Sequence, residues 1–447
     1  MTRPDGAPAH AFRGALLHFP PGAASGDESS VEFVADGLLV VRAGRIEQAG
    51  AHDALAPALA PGTAIHDYRG KWLVPGFIDT HVHYAQTDII ASSGEQLLNW
   101  LERYTFPAER RFQDPEYAAA AAEFFLDELL RNGTTSALVF PTVHRQSVDA
   151  LFEAARRRRM CLVTGKVLMD RNCPDYLRDT AESGDRESRE LIERWHGLDR
   201  LRYAITPRFA PTSSDAQLEL AGRLAAEQPS VYVQSHVAEN HAEVRWAAEL
   251  FPWARSYLDV YDHYGLLRPG AVYAHCIHLD HEDRARFGAS GAAMSFCPTS
   301  NLFLGSGLFD RAAARAADAH VTFGTDVAGG TSFSMLRTMH EAYKVLQLAG
   351  QTLSAFDALY LATRGAAEAL GLHHRLGSLA PGFDADFSVI DPRATALMTR
   401  RFERADTLAE QLFALLMLGD DRAIAATYVL GELAHRRAPD AAAGADR

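Results

Sequence analysis

From about residue 73 to about residue 372 the chain repeats one pattern: a short β-branched or apolar run, a polar turn, then a stretch of helical period. Eight runs read as strands, at 73–83, 134–140, 161–168, 201–206, 231–236, 271–275, 293–297 and 321–326. Residues 119–131 illustrate the helical stretches, with Phe124, Phe125, Leu129 and Leu130 set against Glu123, Asp127 and Glu128. Eight βα units over about 300 residues predict an α/β fold, a (β/α)8 TIM-like barrel. A doubly wound open sheet is the alternative, weakened because no Gly-x-Gly-x-x-Gly follows any of the strands.

The flanks have a different texture. Before residue 73, Leu38-Leu39-Val40-Val41 leads to Gly44 and Ile46, and turn residues such as Pro20-Pro21-Gly22 interrupt often. After about residue 379, strand patterns return: Ala385-Asp386-Phe387-Ser388-Val389-Ile390-Asp391 alternates in polarity, and 423–430 is apolar. Together they predict a small β-sandwich domain built from both chain termini. The expected division is 1–72, a barrel at 73–375, and 376–447, with 438–447 a frayed Ala/Asp/Gly-rich tail.

Composition narrows the function classes. The 447 residues are 47% hydrophobic and 23% charged, enough for an ordinary core and inconsistent with global disorder. A net charge of −13 argues against a broad nucleic-acid or anionic-membrane surface, while a local basic pocket stays open. No apolar run approaches the roughly 20 residues of a membrane span. The start, Met1 to Gly6, reads as no secretory signal. Cys161, Cys173, Cys276 and Cys297 form no Cys-x-x-Cys pair, so a reduced, cytoplasmic protein is expected.

The chemistry concentrates at strand ends. In Asp79-Thr80-His81-Val82-His83 the period of two places His81 and His83 on one side of the first barrel strand. His236, His275 and Asp326 end the fifth, sixth and eighth strands. A barrel gathers these ends around one mouth, where barrel active sites lie. Four histidines and a carboxylate there predict a metal centre, with zinc or iron favoured over the oxygen-loving magnesium and calcium. Such a metal lowers the pKa of bound water toward roughly 7. Glu239, three residues past His236, is placed to carry the proton.

The segment from Pro75 to Gln86 and the segment from Trp100 to Glu109 carry a resemblance. So do Gly165-Lys166-Val167-Leu168-Met169-Asp170, the run from Thr206 to Thr212, Cys297-Pro298-Thr299-Ser300-Asn301-Leu302 and the run from Gly324 to Gly330. Over roughly residues 12 to 436 the chain resembles the amidohydrolase superfamily, and within it the guanine deaminase family. Ser235, Ala238, Ala85 and Ala328 depart from the residues more usual there, and none of these is a ligand or proton carrier. The resemblance implies one Zn2+ per subunit, or Fe2+, on His81, His83, His236 and Asp326. It implies that His275 holds the attacking hydroxide or oxyanion and that Glu239 shuttles protons. Attack at C2 of guanine would give xanthine and ammonia, in purine catabolism. Gln86 and Arg208 would bond the purine, Phe209 would pack on its ring, and a homodimer is expected.

Other features compete. Lys166 could be a carbamylated metal bridge but reads as structural in this context. His241-Ala242-Glu243 spells the His-x-Glu of another zinc deaminase class, lacks its Pro-Cys-x-x-Cys, and reads as exposed helix. His144 and His278 read as hydrogen-bonded histidines that either support the metal ligands from behind or sit in loops, and Cys297 as a packed thiol. His281-Glu282 and His340-Glu341 lack a metalloprotease's second histidine. Two alternative functions remain: an amidohydrolase acting on another amino-substituted heterocycle (8-oxoguanine, an adenosyl thioether or a triazine), and a catalytically silent scaffold. Retention of every strand-end ligand and of Glu239 speaks against the scaffold.

Overall fold

Two hydrogen-bonded sheets organise the chain. The computed structural model describes residues 8–93 and 96–438; the start read for a leader and the tail beyond 438 lie outside the described residues. No helix among them is long and apolar enough to cross a membrane.

The terminal sheet takes β1 (Ala9–His18), β2 (Glu32–Arg42), β3 (Arg45–Ala51) and β4 (Ala64–Pro75) from the start of the chain. The barrel follows, with β5 (Phe77–His83), β6 (Thr134–Phe140), β7 (Cys161–Thr164), β8 (Val167–Leu168) and β9 (Leu201–Pro207). It continues through β10 (Tyr232–Val237), β11 (Ala271–His275), β12 (Ala293–Phe296) and β13 (His320–Phe323). The chain then returns to the first sheet with β14 (Phe387–Ile390), β15 (Ile424–Val429) and β16 (Glu432–Arg436).

Strands from both ends form one seven-stranded sheet in the order β16-β15-β14-β4-β1-β2-β3. Phe12 of β1 and Tyr428 of β15 are three strand positions apart, about 14 Å in a flat sheet. Their ring centroids lie 4.8 Å apart. The sheet therefore curls over its own core of Phe12, Leu39, Leu73, Phe387, Val389 and Tyr428. It supplies the sandwich-like interior as one continuous sheet.

The barrel order is β13-β12-β11-β10-β9-β7-β6-β5, with β8 paired to β9, and its ladders are parallel. Among the described residues no ladder joins β13 to β5. Polar side chains close this gap: Thr80 Oγ1 lies 2.7 Å from Thr322 Oγ1 and donates to the Phe323 carbonyl at 2.9 Å. The Thr325 amide and hydroxyl donate to the buried Asp79 carboxylate. Burial of these groups is tolerable because each finds a partner.

Three of the expected strand runs are refined. The run 73–83 is two strands in different sheets, separated at Gly76, where a Cβ would lie 2.1 Å from Thr135 Oγ1. The run 161–168 breaks after Thr164, because Gly165 packs so closely that a Cβ would lie 1.9 Å from the Ala204 carbonyl oxygen. The eighth run stops at Phe323, leaving Asp326 beyond the strand. On the helix Pro115–Arg131, Phe125, Leu126, Leu129 and Leu130 face the core, but Phe124 is 56% exposed. Its neighbour in sequence takes the inward position, since adjacent helical residues diverge by about 100°.

Candidate metal centre and active site

The C-terminal ends of the barrel strands carry the polar cluster. His81 and His83 project from the C-terminal end of β5, both almost fully buried. His236 sits near the end of β10, its Nδ1 2.6 Å from the Arg208 carbonyl oxygen. That bond leaves Nε2 facing the cluster, 3.1 Å from His83 Nε2. Asp326 lies three residues past β13 at φ 51°, in the left-handed region that Asp tolerates better than most residues. Its Oδ1 is 3.2 Å from His81 Nε2 and 3.4 Å from His83 Nε2.

One ligand atom from each of His81, His83, His236 and Asp326 falls within 4.8 Å of all the others. Burial holds the three imidazoles well below their ordinary pKa, which keeps them neutral, the form that ligates metals. His81 Nε2 is buried with no hydrogen-bond partner among the described residues. Lone pairs converging on a carboxylate oxygen suit a divalent cation, and the nitrogen-rich donor set fits zinc or iron chemistry.

His275 and Glu239 stand beside this set. His275 Nδ1 is 2.9 Å from Asn301 Oδ1, an amide oxygen that can only accept. The proton therefore sits on Nδ1, and Nε2 turns toward Glu239 Oε2 at 3.3 Å and Asp326 Oδ2 at 3.8 Å. Glu239 accepts from Ser306 Oγ at 3.0 Å. Burial, reinforced by the Asp326 charge, pushes its carboxyl up to about 8. A carboxyl poised there can both hold and release a proton near neutrality.

The rest of the cavity wall offers hydrogen-bonding and aromatic side chains. Gln86 follows β5, and Arg208 and Phe209 follow β9; all three are buried side chains that line the same cavity. Leu97, Trp100, Leu101 and Leu304 supply its apolar surface. Arg208 Nη1 donates to both carboxylate oxygens of Glu109, at 2.8 and 2.9 Å. Gln86 Nε2 lies 3.4 Å from Glu109 Oε1. Burial pushes the Glu109 carboxyl up, and the Arg208 charge opposes that rise. Arg208 is thus both half of a buried ion pair and a side chain that lines the cavity.

Every residue singled out for the site converges on this cavity or its floor. Glu109 ends the motif that begins at Trp100, and that motif is the sequence signal for it. Asn301 likewise lies within the motif Cys297 to Leu302, while Ser306 carries no local signature. One reading is corrected: His241 is exposed, but Glu243 is fully buried, lines the cavity, and accepts from the Glu239 and Asn240 amides. It folds inward because it caps its own helix, His241–Leu250, in a box with Asn240. Lys166 is fully buried against Asp179, Glu187 and the Val143 carbonyl, an ion pair within the fold. His278 bonds the Ser306 carbonyl at 2.9 Å, and Cys297 is packed and buried.

Similarity to known proteins runs along the same length of chain. A model described as the amidohydrolase family matches residues 72–434. The guanine deaminase of Escherichia coli (strain K12) is 51% identical over 409 residues, 92% of this chain and 93% of that protein. The guanine deaminase of Homo sapiens is 33% identical over 445 residues, 95% and 96% of the two chains. The solved structure of E. coli guanine deaminase matches with a TM-score of 0.94 at 48% identity, covering 97% of this chain and 100% of that one. Guanine deaminase from C. acetobutylicum, solved with guanine bound in the active site, matches with a TM-score of 0.85 at 29% identity, covering 95% and 99%.

Proposed function

Because the chain belongs to the amidohydrolase family and is similar to guanine deaminases over nearly their whole length, we propose that it hydrolyses guanine to xanthine and ammonia. The observation that carries this reading is the convergence of the four ligand atoms within 4.8 Å, at the floor of a cavity whose far wall holds Gln86, Arg208 and Phe209.

His81, His83, His236 and Asp326 would hold one divalent cation, zinc in this reading. When bound, such an ion supplies Lewis acidity and brings the pKa of water toward about 7. The remaining work falls to the protein's own groups. Arg208 donates to the ring carbonyl and Gln86 bonds the adjoining ring edge, while Phe209 packs on the ring face. Together they set C2 over the cluster. His275, its tautomer fixed by Asn301, orients the attacking water through Nε2. Glu239 takes a proton from that water and gives it to a ring nitrogen. A C–O bond forms at C2, the exocyclic C–N bond breaks, and Glu239 passes the second proton to the departing amine. Ser306 keeps the carboxyl aimed inward during both transfers.

Incubation of the purified protein with guanine is the direct test, with xanthine followed spectroscopically and ammonia by coupled assay. Turnover that is lost on exhaustive chelation and restored by zinc supports the reading in full. Restoration by iron alone replaces zinc. Absence of xanthine from metal-replete protein, or better turnover of another amino-substituted ring, rejects guanine as the substrate.

A further inference from the structure

Arg208 and Glu109 form an ion pair buried to 2% and 0% exposure at the cavity wall. The pair is lopsided. Both carboxylate oxygens of Glu109 are spent on one nitrogen, Nη1. Among the described residues, Nη2 and Nε of Arg208 have no hydrogen-bond partner, and Arg208 lines the cavity. Glu109 therefore fixes the planar guanidinium by one corner and leaves its other donors facing the ligand. The same carboxylate touches Gln86: Nε2 approaches Glu109 Oε1 at 3.4 Å. With the amide nitrogen drawn to Glu109, the Gln86 carbonyl oxygen is the atom turned toward the cavity, and it too has no partner among the described residues.

Two consequences follow. The wall shows a donor beside an acceptor, which matches a ring edge where a carbonyl adjoins an N–H. A ring with an amine beside a bare nitrogen presents the reverse pattern and meets like against like. The wall is also neutral as a unit, because the Arg208 charge is cancelled inside the protein. An anionic ring gains little there, because the guanidinium it would meet is already paired with Glu109.

We propose that Glu109 is a positioning residue that sets ligand choice, selecting an uncharged ring with a carbonyl next to an N–H by anchoring Arg208 and orienting Gln86. The proposal deepens the guanine reading and rests on it. Glu109 sits on the helix Phe106–Arg110, reached by the long segment after β5 that also carries Gln86. One excursion of the chain thus supplies both the acceptor and the group that orients it.

The test uses metal-replete protein, wild type beside Glu109→Gln and Glu109→Asp. Guanine kinetics give KM and kcat, and xanthine, which loses a ring proton a little above neutrality, is titrated calorimetrically from pH 6.5 to 9. Wild-type turnover of guanine is read first and tests the functional reading by itself. Glu109→Gln keeps the shape but frees the Arg208 charge. The expected result is a KM raised at least about tenfold with a smaller change in kcat. The rise of xanthine Kd with pH should also flatten by at least about fivefold, because the anion now meets an unpaired guanidinium. Glu109→Asp keeps the charge but shortens the reach, so KM should rise while the xanthine trend follows wild type. A loss of packing alone moves no neutral-to-anion preference. If Glu109→Gln retains a KM within twofold of wild type, or an unchanged xanthine trend, the proposal falls while guanine turnover by wild type stands. If Glu109→Gln does not fold, Glu109→Asp decides: an unaltered KM overturns the proposal and a raised one supports it.

Discussion

Arg200 stands just before β9 and His236 near the end of β10, so the two mark opposite ends of the barrel strands, and each lies in a cluster of buried polar groups. Around Arg200 the charges close on themselves. Arg200 pairs with Asp386 and, at 3.3 Å, with Asp384; Arg375 and Arg45 each reach Asp384 at 2.9 Å. The Leu430 amide donates to Asp386 at 2.8 Å. This network ties the barrel to the terminal sheet and gives each of its two buried aspartates an arginine countercharge, although both Asp384 oxygens lack a well-aligned hydrogen bond. Around His236 the charges do not close. Three neutral imidazoles face the Asp326 carboxylate, Glu239 stands beside His275, and burial lowers the pKa of each histidine paired with these acids. Both clusters carry desolvation costs of several kcal/mol per ion. Among the described residues, arginines supply the countercharge around Arg200, whereas at the mouth it is left to a cation from outside. Burial of charge therefore does not by itself mark function; a deficit of countercharge does.

Removing a ligand gives the sharpest break between the ends. His236→Ala should leave less than about one-tenth of the metal bound and lower guanine turnover at least about 1,000-fold, some 4 kcal/mol in barrier. Metal analysis beside a xanthine assay checks both, and a variant with full metal and near-normal rate would take His236 out of the centre. Glu239→Gln comes next. Turnover should fall about 100- to 10,000-fold with the metal retained, because only the proton carrier is lost. Near-normal turnover there would remove Glu239 from its role.

At the other end the effect should move from rate to stability. Arg200→Ala leaves Asp386 buried without its principal countercharge and should cost about 3–5 kcal/mol of unfolding free energy, read by urea titration. Activity per folded molecule should stay close to wild type. A variant with normal stability but impaired turnover would erase the contrast drawn between the clusters. Smallest is Arg208→Ala, expected to weaken guanine handling by at least about 2 kcal/mol, roughly 30-fold in kcat/KM, as a carbonyl loses its charged donor. Unchanged kinetics would mean that the purine sits elsewhere.

What could be read from sequence was local. His81 and His83 declare themselves because a strand alternates sides, and His236 and His275 because each closes an apolar run. Phe124 and Glu243 misled for one reason: on a helix, the inward face turns by about 100° per residue, and a short window does not fix its phase. Asp326 was found in the right place but on the wrong kind of element, since its run ends at Phe323 and a turn brings the carboxylate back over β5. The motif marks Glu109 but not its pairing, because its partner Arg208 lies 99 residues away.

The amino-acid order alone determined the barrel, the return of the chain's end to its beginning, and the residues arriving at the mouth, since periodicity and strand ends are properties of neighbours along the chain. Only the tertiary structure decided which buried charges cancel and which await a cation. Coulomb energy depends on separation in space, and Arg200 meets Asp386 across 186 residues of sequence. No pattern within either segment records that distance.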